Sequence, residues 1–116
     1  MTYEDLLLVP YKENGRDENG MDCYGLVIEL FRRAGRELKD IAYVYSIPRE
    51  ELFDYVTSFG ANERPYPAAG FIAQWQYQGL LHIGYMVSKK LCVHMTFSGV
   101  QVVPIESIPG VSFFEV

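Results

Sequence analysis

Apolar residues recur along the first third of the chain with a helical period. Cys23, Leu26, Val27, Leu30, Phe31 and Ala34 are separated by three, one, three, one and three positions, which lines them along one helix face. Asp22 is placed to cap the start of this helix and Gly35 to end it. Arg32 and Arg33 fall in the last turn, where cations favour the dipole. Gly25 suits a helix poorly, so its presence asks for a reason such as close backbone approach. The polar stretch 12–20, punctuated by Gly15 and Gly20, reads as a loop. Farther on, Leu52, Val56 and Phe59 predict a second helix that starts near Ser46 or Pro48 and ends at Gly60.

Residues 61–70, "ANERPYPAAG", contain two prolines and read as a connection. Beyond them the period shortens to two. Strands are predicted at 71–75, 80–87, 91–97, 100–104 and 112–116. Helices first and antiparallel strands afterwards define an α+β fold, one domain spanning 1–116 with the helices packed on one sheet.

The 116 residues are 49% apolar and 22% charged, an ordered globular composition large enough for one core. Ten Lys plus Arg against fifteen Asp plus Glu give a net charge of -5, which argues against nucleic acid as a partner. The N-terminal stretch has no basic leader and only the short apolar run Leu6 to Val9, so neither a signal peptide nor a membrane span is expected. The expected location is the cytoplasm as made, with virion association or leaderless export as the routes outward. Two cysteines, Cys23 and Cys92, allow at most one disulfide, which a cytoplasmic start disfavours.

Cys23 opens the predicted helix, where unpaired N–H groups and the positive dipole end stabilise a thiolate. A buried cysteine acting as a small hydrophobe is the plainer alternative. The only histidines, His82 and His94, stand twelve positions apart on neighbouring strands around "SKK". A loop of odd length centred on Ser88 puts them directly opposite on one face, whereas a two-residue loop at Ser88–Lys89 sets His82 opposite Met95. A zinc site would need a third ligand from Cys23, Cys92 or a carboxylate, and no HExxH or CxxC spacing supplies one. No metal or cofactor is expected. A thiol at a helix start and a histidine on a strand are the separated halves of a cysteine hydrolase site, with His94 fit to orient the base.

"PYKENGRDENGMDCYGLVIELFRRAG" and "HIGYMVSKKLCVHMT" together resemble the NlpC family of papain-like cell-wall cysteine peptidases. The resemblance implies a papain-like fold, Cys23 as nucleophile, His82 as base and His94 as orienting residue. It also implies that Tyr11 lines the site and that Asp22 engages the amine of a substrate peptide; Tyr24 stands where relatives carry a serine, and its phenol either projects into the groove to contact substrate or packs against the helix face. The expected activity is hydrolysis of peptidoglycan stem peptides, beside γ-D-glutamyl residues. Phage tail proteins are further expected partners, since the family includes tail-tip enzymes. A non-catalytic assembly role in a phage tail and a papain-like acyl or thioester hydrolase are the alternatives. Cys92 is expected to be a bystander.

Overall fold

The computed structural model describes residues 1–40 and 61–116; the helix expected between Ser46 and Gly60 lies outside them. A 3-10 turn at Glu4–Leu8 leads to a small hairpin, β1 (Arg16–Asp17) and β2 (Gly20–Met21), and then to α1 (Cys23–Arg33). The strands β3 (Asn62–Arg64), β4 (Ile72–Tyr77), β5 (Leu80–Met86), β6 (Leu91–Thr96), β7 (Gly99–Pro104) and β8 (Ser112–Glu115) follow. They form one six-stranded sheet in the order β3-β8-β4-β5-β6-β7, antiparallel throughout. The α+β class is as expected. Among the described residues no helix is long and apolar enough to cross a membrane.

Two local readings are corrected. The 12–20 segment is not all loop, because Arg16 and Asp17 pair with Met21 and Gly20 in a short hairpin. The 61–70 connection begins with β3, whose three polar residues pair with β8 through Asn62↔Glu115 and Arg64↔Phe113. Backbone pairing formed this strand without any apolar alternation.

Helix α1 forms where its caps predict. The Asp22 carboxylate accepts from the Gly25 N–H at 2.7 Å. Gly35 takes φ +76°, and the Arg36 N–H returns to the Phe31 carbonyl at 2.9 Å, closing the last turn. Leu26, Val27, Leu30 and Phe31 are fully enclosed, each stabilising the fold by roughly 1.5–3 kcal/mol relative to exposure. They pack with Ile83, Tyr85, Val93, Met95 and Phe114 on one face of the sheet. The other face carries Phe71, Ala73, Trp75, Met86, Cys92 and Ile105, covered by Ala68, Ile108 and Val111 from the connecting segments. Arg36 ties the helix end to the sheet: its guanidinium lies 4.2 Å over the Phe31 ring and donates to the Gly70 carbonyl at 2.8 Å.

Gly25 has the reason its position asked for. A Cβ there would run into the Gly15 carbonyl oxygen and come within 3.2 Å of both Arg16 Nη1 and Asp22 Oδ1. Gly25→Ala is therefore expected to destabilise the protein by about 2–3 kcal/mol, since backbone rather than a movable side chain must yield. A lowered urea midpoint with unchanged m-value is the expected measurement.

Candidate functional site

The start of α1 is built around one enclosed carboxylate. Asp22 has no exposed surface and accepts hydrogen bonds from Gly25 N, from Asn14 N at 3.1 Å and from Arg16 Nη1 at 2.7 Å. Arg16 is held in turn by the Gly15 carbonyl and by Asp40. This network fixes the backbone immediately before Cys23. Cys23 is the first residue of the helix, fully buried and part of the core beneath α1. Tyr24 is also buried, and its hydroxyl donates to the Lys39 carbonyl. Burial raises the Tyr24 pKa, with the Asp40 charge acting in the same sense. The Asp22 carboxylate and the Tyr24 hydroxyl, both weighed as substrate contacts in the sequence, make internal hydrogen bonds.

The histidines come together on the sheet. Tyr85↔Val93 and Met86↔Cys92 set the register of β5 and β6, so the reversal is centred on Lys89. His82 and His94 share a face but are offset diagonally, and neither arrangement expected from the sequence is the one formed. Their rings meet through His82 Nε2 and His94 Nδ1 at 2.9 Å. One nitrogen must donate and the other accept. If His82 is to accept a proton at Nδ1, its Nε2 carries the hydrogen and donates to His94.

Aromatic rings enclose this pair. Trp75, directly opposite His82 across β4 and β5, packs edge-on to both imidazoles at 4.9 and 5.1 Å between centroids. The Tyr77 ring lies 5.1 Å from that of His82. Burial pushes the His82 pKa down to about 3, with the His94 charge adding to it, and pushes His94 down to about 4. Trp75 and Tyr77 were not anticipated from the sequence. The signal was present in Gln78-Gly79, a two-residue turn with φ +52° and +78° that fixes Trp75 opposite His82.

Strand alternation places the histidine rings on the Trp75 face, whereas α1 and Cys23 cover the opposite one. The two faces meet at the end of the sheet beside the start of α1, where the β5–β6 ladder stops short of His82. A pocket of about 10 Å³ opens there, room for one water-sized group, lined by Tyr11, Tyr77, Leu80, His82, Met95 and Phe97 among others. Tyr11 is positioned by its bridge to Met21 and by an edge-on contact with Phe97 at 4.8 Å. Cys23 is not among the lining residues.

No protein-family model matches the chain, and no curated protein matches it. Among the described residues no cluster of His, Cys, Asp or Glu has the geometry of a metal site. Cys23 and Cys92 are not joined in a disulfide. Cys92 lies on the histidine face, where burial pushes its pKa up to about 12.

The two histidines make stability depend on pH. Each is neutral in the fold and protonates more readily in the unfolded chain, near pH 6.5, so acid favours unfolding. Stability is expected to fall as pH drops from about 6.5 towards 4, and a double H82Q/H94Q variant should show a flatter dependence between pH 6.5 and 5. Urea titrations across that window provide the check.

Proposed function

We propose that the protein is a cysteine peptidase or amidase of papain-like fold, hydrolysing peptidoglycan stem peptides beside γ-D-glutamyl residues. The observation that carries this reading is the His82 Nε2···His94 Nδ1 contact at 2.9 Å, in a chain whose cysteine opens a capped helix. It leaves His82 Nδ1 as the nitrogen available to a thiol. Tyr11, bridged to Met21 two positions before Cys23, lines the pocket together with His82. On this reading Cys23, buried beneath α1 and outside the pocket lining, reaches His82 only when the end of the sheet opens to substrate.

The chemistry runs in two halves. The Cys23 proton passes to His82 Nδ1 as the sulfur attacks the scissile carbonyl, and the oxyanion is met by the Cys23 N–H with Tyr11 as second donor. His82 then protonates the leaving amine, and the thioester forms. Water, deprotonated by His82, attacks the thioester and releases the acid, returning the proton to sulfur. His94 holds the ring throughout.

A second reading, the same fold in a phage-tail assembly role without turnover, is favoured by the full burial of Cys23. Digestion of purified peptidoglycan by wild type and C23A, with mass analysis of the fragments, separates the two. Fragments from wild type and none from C23A support the hydrolase. Equal digestion by both removes Cys23 as nucleophile, and no digestion by either favours the assembly role.

A further inference from the structure

The opening beside His82 is surrounded by aromatic and uncharged polar side chains. Its lining includes Tyr11, Tyr77, Leu80 and Phe97. Phe97 is 56% exposed and Leu80 38%, while Tyr11 and Tyr77 are half-buried. Scattered apolar side chains on a surface need no explanation, but these four meet around one opening. Two reversals supply the rim: Gln78–Gly79 between β4 and β5, and Phe97–Ser98 between β6 and β7. Gln78 and Ser98 are both exposed, and each offers a donor and an acceptor without charge. Tyr11 meets the Phe97 ring edge-on, so that ring is braced while it stays open to solvent.

The lack of charge belongs to this end of the sheet. Residues 71–87 and 91–105 contain no Asp, Glu, Lys or Arg, in a chain that is 22% charged. Burial of central strands does not account for it, because Gln78, Leu80, Phe97 and Ser98 are exposed. The far end of the same four strands is charged, with Lys89 and Lys90 in the β5–β6 reversal and Glu106 just after β7. Lys12 follows Tyr11 in sequence, but its side chain lies along Gly20 in the small hairpin. None of the residues lining the opening is charged at neutral pH, since burial keeps His82 neutral.

We propose that this rim binds the neutral sugar chain of peptidoglycan, seating an N-acetylhexosamine ring on Phe97 while the attached stem peptide enters the opening. A pyranose ring has a face of C–H bonds, which packs on the electron-rich face of an aromatic ring. Its hydroxyl and acetamido groups are uncharged donors and acceptors, the complement of Gln78 and Ser98. The stem peptide is the part of the polymer that bears carboxylates, and the rim offers them no counter-charge. The sugar surface rests on the peptidoglycan reading above. It adds recognition of the polymer's backbone to cleavage of its branches.

The test uses the full chain and chitotetraose, a soluble, uncharged oligomer of N-acetylglucosamine. Titration followed by amide NMR shifts is expected to give a dissociation constant of about 1 mM or below. The shifted amides should cluster at residues 78–80 and 96–99. Because neither partner is charged, raising the salt from about 50 to about 500 mM should leave the affinity within roughly 2-fold. F97A, at an exposed position, should keep its thermal midpoint and weaken binding about 10-fold. If F97A does not fold, L80A decides, with an expected loss of about 3-fold. The proposal is overturned by no shifts up to about 10 mM sugar, by shifts elsewhere on the surface, or by binding indifferent to the deciding substitution. Tighter binding of a free stem peptide at the same amides overturns it as well. Digestion of peptidoglycan is scored separately. Fragments from a wild type that ignores chitotetraose remove the sugar surface and spare the peptidase, whereas sugar binding without fragments upholds the surface and removes the peptidase.

Discussion

Replacing His82 by alanine is expected to lower kcat/KM on peptidoglycan by about 10³-fold, against roughly 10-fold for H94A. The asymmetry follows from the contact geometry. His82 is bonded through Nε2 to His94 and lines the pocket, so in the proposed enzyme it is the ring that exchanges a proton with substrate. On the same proposal His94 fixes its tautomer and angle, and the Trp75 and Tyr77 rings also contact His82. Because burial holds His82 down to about 3, its neutral form dominates at neutral pH. The proposed enzyme thus starts from imidazole and removes the thiol proton during attack, without a preformed ion pair. Its activity should fall little between pH 8 and 6. Michaelis kinetics on both variants provide the measurement, and a larger loss from H94A than from H82A would reverse the assigned roles.

Asp22→Ala is expected to destabilise the fold by about 3–4 kcal/mol, more than an ordinary cap substitution. The carboxylate is fully buried and accepts three hydrogen bonds, so its removal strands the Gly25 and Asn14 N–H groups. Arg16 suffers less, since Asp40 at 3.0 Å retains it near solvent. Asp22→Asn keeps a capping oxygen but loses the charge facing Arg16, and about half the cost is expected. Urea unfolding of the three proteins gives the comparison; a loss below about 1 kcal/mol for Asp22→Ala would mean that the loop relaxes to re-satisfy its donors.

What the sequence made legible follows from the kind of signal each element leaves. Helix α1 could be read to its caps because an apolar stripe, a capping aspartate and a terminal glycine agree. Gly25 even announced a close neighbour before Gly15 was known to supply it. β3 left no trace, since Asn62, Glu63 and Arg64 have neither alternation nor strand-favouring side chains and owe their conformation to β8. In the hairpin, parity correctly put His82 and His94 on one face, but parity cannot say which face the helix covers. That choice decides whether Cys23 and the imidazoles share a layer, and it emerges only from packing. Tyr24 was ambiguous for a similar reason: its hydroxyl partner, the Lys39 carbonyl, is a backbone atom fifteen residues away.

The two rims of the sheet are closed in different ways. β3 is three polar residues long and carries Arg64, paired with Glu115 at 2.9 Å, so it offers another chain little to zip against. β7 is twice that length and richer in valine, a far better template for intermolecular pairing. The 3-10 turn at Glu4–Leu8 packs near it, with Leu6 buried, and Arg33 clamps that turn through Asp5 and the Thr2 carbonyl. Loss of the first nine residues would therefore do more than shorten the chain. It would bare a valine-rich border and turn a self-contained domain into one prone to stacking into fibrils.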